Sequence, residues 1–141
     1  MRPLAVFFAA AALMVSVPAA AAVVHLTAKL DGKSETPPND AKGSGDAAVS
    51  LDTTAKKITW TVTYKGLSGP AVAAHFHGPA PVGQAAGVAV PLTAPLASPA
   101  KGSASVTDAQ ITDLRGGQWY VNIHTAAHPD GELRGQLTEK K

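Results

Sequence analysis

The residues of this chain whose type and spacing could do chemistry are its histidines: His25, His75, His77, His124 and His128. Four of them fall into two pairs. In Val72-Ala73-Ala74-His75-Phe76-His77 the apolar residues Val72, Ala74 and Phe76 share one face of an extended strand, which leaves His75 and His77 together on the other. A rise of about 3.3 Å per residue sets their Cα atoms roughly 6.5–7 Å apart, close enough for two imidazoles to converge on one ion. In Trp119-Tyr120-Val121-Asn122-Ile123-His124 the same parity turns Trp119, Val121 and Ile123 to a core and His124 outward with Tyr120 and Asn122. His128 follows after three residues. If the strands that end at His77 and His124 are neighbours, His75, His77, His124 and His128 meet at the rim of one sheet. Such a donor set suits zinc or copper as Zn(II) or Cu(II), both of which accept neutral imidazole nitrogen. Asp130 or Glu132 is placed to complete the shell or to orient a ring from outside it. The plainer reading is that an H-x-H pair on an exposed strand is two polar residues on a solvated face. His25 shares only the outward parity and reads as surface.

Other chemistries lack their residues. The chain has no cysteine, which excludes disulfide staples, thiolate zinc knuckles, iron–sulfur clusters and cysteine nucleophiles together. No Gly-x-Ser-x-Gly elbow is present, and the acidic residues are dispersed instead of paired. Gly116-Gly117 follows a helical segment where a phosphate loop would precede one. A formal net charge of +2 is too balanced for a nucleic-acid binder.

The elements that must position the histidines are mostly strands. Ile58-Thr59-Trp60-Thr61-Val62-Thr63-Tyr64 alternates large apolar residues with threonine, and Val24 to Leu30, Val49 with Leu51, and Trp119 to His124 show the same period of two. Trp60, Tyr64 and Trp119 then belong to the core. Turn signals separate these runs, among them Asp31-Gly32, Pro37-Pro38-Asn39-Asp40, Gly66 to Pro70, Gly78-Pro79-Ala80-Pro81 and Pro129-Asp130-Gly131. Thr107-Asp108-Ala109-Gln110 has a capping-box pattern, with Ile111 and Leu114 at helical spacing and Gly116-Gly117 as a stop, so one short helix is expected near residues 108–115. The run Thr93 to Ser105 reads as a loop leading into an exposed strand. About seven or eight short strands predict an all-β fold, an antiparallel Greek-key β-sandwich.

The first 22 residues stand apart. Met1-Arg2 supplies a positive charge, Leu4 to Val17 is apolar but for Ser16, and Pro18 precedes four alanines. This is the pattern of a secretory signal peptide cleaved after Ala22, with Ala21 as the alternative site. The apolar run is too short to span a bilayer, and no later run is long enough, so no membrane span is expected after cleavage. Residues 23–141 then form one exported domain. Both methionines, Met1 and Met14, leave with the leader.

Two motifs carry a family resemblance: His75-Phe76-His77-Gly78-Pro79-Ala80, and the long run from Gln118 through His124, His128-Pro129-Asp130-Gly131-Glu132 and Leu133-Arg134-Gly135-Gln136-Leu137. Together they resemble the CHRD domain, the module named after chordin and common in secreted bacterial proteins. The likeness spans residues 24 to 138, and Leu30-Asp31-Gly32-Lys33-Ser34-Glu35-Thr36-Pro37-Pro38 is similar to the family's usual opening. The resemblance implies a secreted β-sandwich whose animal relatives sit in an extracellular antagonist of bone morphogenetic proteins. It does not carry that ligand over, since the cysteine-rich repeats of chordin are missing here. An H-x-H strand in such a sandwich also looks like copper/zinc superoxide dismutase, without that family's cysteine pair or histidine-rich zinc loop. The expected function is a secreted or periplasmic non-catalytic binding or structural module whose partner is an extracytoplasmic protein or a metal ion. The alternative is a small copper- or zinc-dependent enzyme with superoxide dismutase-like activity.

Overall fold

In the computed structural model, residues 22–141 are described, so the leader pattern lies outside them except for Ala22. Period-two alternation becomes strand after strand. β1 (Val23–Leu30), β2 (Ser44–Asp52), β3 (Lys57–Lys65) and β6 (Ala100–Ser105) form one antiparallel sheet with the short β9 (Thr138–Glu139), in the order β6-β3-β2-β1-β9. β4 (Ala71–His77), β5 (Val88–Pro91), β7 (Tyr120–Thr125) and β8 (Leu133–Gln136) form the second, in the order β5-β4-β7-β8. The pairings β3–β6 and β4–β7 join strands distant in sequence, as interleaved connections require. Nine described strands replace the expected seven or eight. The additions are short: four residues each in β5 and β8 and two in β9, below the length at which alternation is readable.

The core lies between the sheets. Leu26, Val49, Leu51, Ile58, Trp60 and Val62 from the first sheet meet Phe76, Val121, Ile123 and Leu133 from the second, all buried. Trp60 and Phe76 pack edge to face with ring centroids 5.3 Å apart, an arrangement that suits the ring quadrupoles. The helix α1 (Asp108–Arg115) forms where the capping box placed it: Thr107 Oγ1 accepts from Gln110 N, Gln110 Oε1 accepts from Thr107 N, and Leu114 is the residue it buries. Among the described residues, no helix is long and apolar enough to cross a membrane.

One parity reading fails. Val72 was expected beside Ala74 and Phe76 in the core, yet it is 59% exposed. The β4–β7 register slips between Ala71 and Ala73, and the extra residue at this bulge is turned out of the ladder. From Ala73 onward the alternation is regular, so His75 and His77 keep the face assigned to them.

Candidate metal centre

His75, His77 and His124 project from the outer face of the second sheet. Register brings His75 opposite Asn122, His77 opposite Tyr120 and Ala73 opposite His124, so His124 sits diagonally from His75 on the neighbouring strand. Diagonal pairs on one face lie within reach of long or ring side chains. His75 Nδ1 is 3.1 Å from His124 Nε2, and one ring nitrogen from each of His75, His77 and His124 lies within 4.8 Å of the others. Small ring movements suffice for one ion, bonded at about 2.0–2.1 Å, to reach all three.

His128 is not brought into this group. It lies beyond β7 in the turn to β8, half-buried, where its charge acts on Glu132. Glu132 is not near the rings either. Its carboxylate accepts from Ser68 N at 2.8 Å, Ser68 Oγ at 2.6 Å and Thr125 Oγ1 at 2.5 Å. Burial pushes its pKa up, but those hydrogen bonds and His128 outweigh it and hold the carboxyl below its ordinary range. Asp130 is exposed at the turn, and His25 is exposed on the other sheet, 3.2 Å from Ser50 Oγ.

The face around the cluster is only partly solvated, contrary to the plainer reading of the H-x-H pair: His77 is buried, and His75 and His124 are half-buried. Tyr120, Asn122, His77 and Arg134 are all buried. Two loops cover them, residues 35–39 and 78–87. Arg134 on β8 fastens both: Nη1 donates to Thr36 Oγ1 at 2.9 Å and Nη2 to the Gln84 carbonyl at 2.8 Å. Its guanidinium lies 3.6 Å over the Tyr120 ring, which also stacks in parallel on His77 at 4.8 Å. A planar, weakly hydrated cation is suited to such a buried stack. Gln136 Nε2 holds the Ala80 carbonyl at 2.9 Å.

Hydrogen bonds to carbonyls set the tautomers. Ala86 O, 2.9 Å from His77 Nδ1, and Pro129 O, 2.8 Å from His124 Nδ1, can only accept, so each Nδ1 carries a proton. In the neutral rings both Nε2 atoms then present lone pairs to the centre. A carbonyl that fixes the distal N–H is how metal-ligating imidazoles are ordinarily oriented. Burial lowers the His75 pKa, helped by the charges of His124 and His77. Burial also lowers that of His77, against the hydrogen bonds to Ala86 and Asn122. Both rings are therefore kept in the neutral form that binds metal.

Glu35 is the group that sequence reasoning missed. It is 5% exposed, its Oε1 has no hydrogen-bond partner, and burial pushes its carboxyl up to about 7, against hydrogen bonds from Thr36 and Asn122 and the charge of Arg134. Gly131, at φ +130°, packs its Cα against the carboxylate, where a Cβ would collide. Parity already marked Tyr120 and Asn122 as neighbours of His124. The signal for burial was the Gly- and Pro-rich stretch from Gly78 to Gly87, long enough to fold back over the sheet.

Comparison with known proteins agrees with this framework. The CHRD domain model matches residues 26–137, from within β1 to the residue before β9. No curated protein and no solved structure matches the chain. The matched span contains the whole second sheet, the first sheet except β9 and the start of β1, all three clustered imidazoles and the two covering loops, and the chain belongs to the CHRD domain family.

Proposed function

We propose that the chain is an exported CHRD-domain protein, secreted or periplasmic, that acts as a non-catalytic binding or structural module and holds one Zn(II) or Cu(II) ion through His75, His77 and His124. The observation that carries the reading is the convergence of three imidazole nitrogens within 4.8 Å, two of them with lone pairs turned inward by carbonyls on the far side of their rings. Export rests on the leader pattern of residues 1–22. The test is elemental analysis of untagged protein recovered from the periplasm or medium. The wild type carries one ion per chain, His75→Ala and His124→Ala lose it, and His128→Ala keeps it. A metal-free wild type would end this reading.

A second reading, a small copper- or zinc-dependent enzyme with superoxide dismutase-like activity, draws on Glu35. A buried carboxyl with a pKa near neutrality beside a metal centre is suited to acid–base work. Superoxide consumption by the metal-loaded protein that is lost in Glu35→Gln, with metal content intact, would favour it.

A further inference from the structure

We propose that Asn122 supplies a fourth donor, its carboxamide oxygen Oδ1, and that the centre is a protein-closed shell of three nitrogens and one oxygen suited to Cu(II). The proposal rests on the metal-binding reading above. Asn122 Oδ1 lies 3.0 Å from His77 Nε2 and 3.0 Å from His124 Nε2. Neither nitrogen has a proton to offer it, because both rings carry theirs on Nδ1, against Ala86 and Pro129. Asn122 Oδ1, at a residue only 4% exposed, thus faces two acceptor nitrogens, of which His124 Nε2 has the His75 Nδ1 proton to accept and His77 Nε2 has none, an arrangement that leaves buried lone pairs opposed. A cation at their common point converts all three into ligands.

The carboxamide oxygen is the atom that faces both rings, which leaves the NH2 group to the Glu35 side, where Asn122 acts to lower the carboxyl's pKa against its burial. The donor positions run as a chain. His75 Nδ1 to His124 Nε2 is 3.1 Å, His124 Nε2 to Asn122 Oδ1 is 3.0 Å, and Asn122 Oδ1 to His77 Nε2 is 3.0 Å. Donors at these separations are within reach of one ion bonded at about 2.0–2.1 Å, and three imidazole nitrogens with one amide oxygen are a donor set that suits Cu(II). Binding requires His75 to shift its proton from Nδ1 to Nε2, which is open to it because this ring is half-exposed.

The experiment is a Cu(II) titration of the full mature domain, followed by visible absorption and electron paramagnetic resonance, on wild type, Asn122→Ala and Asn122→Asp, with folding checked by circular dichroism. The wild type binds one equivalent with an axial, tetragonal spectrum. Asn122→Ala binds about 10–100-fold more weakly, with a shifted visible band as water replaces the amide oxygen. Asn122→Asp, which keeps the side-chain volume, binds at least as tightly as wild type with its own band position. Copper bound by wild type and by both variants with the same affinity and spectrum would overturn the fourth-ligand assignment while leaving the three-histidine centre. If the alanine variant does not fold, an aspartate variant spectroscopically identical to wild type overturns it alone. No copper uptake by wild type would remove both the centre and this assignment.

Discussion

Single residues at the covered face make opposite demands on pH. Glu35 is favoured neutral in the fold, with a carboxyl raised from 4.5 to about 7. Its contribution to stability is therefore complete below about pH 4.5 and is lost as pH rises through 7. At about 1.4 kcal/mol per unit, reduced somewhat by solvent screening, the loss is on the order of 3 kcal/mol. Metal-free Glu35→Gln should thus be more stable than wild type by about that amount at pH 8, and no more stable at pH 4.5, as measured by urea unfolding. An unchanged difference at the two pH values would contradict the buried-carboxyl account. His75 and His77 have lowered pKa values, so protons compete for them only below the ordinary imidazole range near 6.5. Metal retention measured by equilibrium dialysis should persist to a lower pH than for free histidine, and release at or above pH 6.5 would count against the assigned environment. Parity was enough to place His75, His77 and His124 on one side. It was silent about Glu35, a loop residue without periodic context, and about His128, which lies past the end of β7 where alternation no longer specifies direction.

Strands and loops decide whether those residues meet. The cluster exists because β4 and β7 are adjacent and in a register that sets His75 opposite Asn122, a pairing no local pattern announces. The bulge at Val72 shows the limit of alternation: one extra residue reverses the face of its own side chain without disturbing His75 or His77. The helix was legible in full, since its capping box and stop are local chemistry. Thr107→Ala should cost about 1 kcal/mol in global stability by chemical denaturation, while leaving metal binding untouched. The covering loops are tied from beneath by Arg134 through Thr36 and Gln84. Arg134→Met keeps much of the packing and removes these bonds. It should make residues 35–39 and 78–87 more quickly cleaved by protease and weaken metal binding by exposing His77, whereas unchanged proteolysis there would show that the loops are held by something else.

For the whole molecule, the hydrophobic layer between the sheets and the imidazole cluster outside one of them are separate constructions. Trp60, Phe76, Val121 and Ile123 are all buried within that layer, so burial of apolar area, not an ion, drives folding. The metal-free domain should remain folded, and ligand should raise its stability by mass action, about 2.7 kcal/mol at a hundredfold excess over Kd. This is how a family framework can hold a site without depending on it. In the proposed centre, rings from two strands act as one ligand set, and nitrogen-15 spectra of the imidazoles during titration with Zn(II) show whether they do. Before metal, His77 and His124 should carry their proton on Nδ1, and resonances of His75, His77 and His124 should then shift together and saturate at one equivalent while those of His25 and His128 stay still. Rings that respond independently, or no response from the three at equimolar zinc, would contradict that centre.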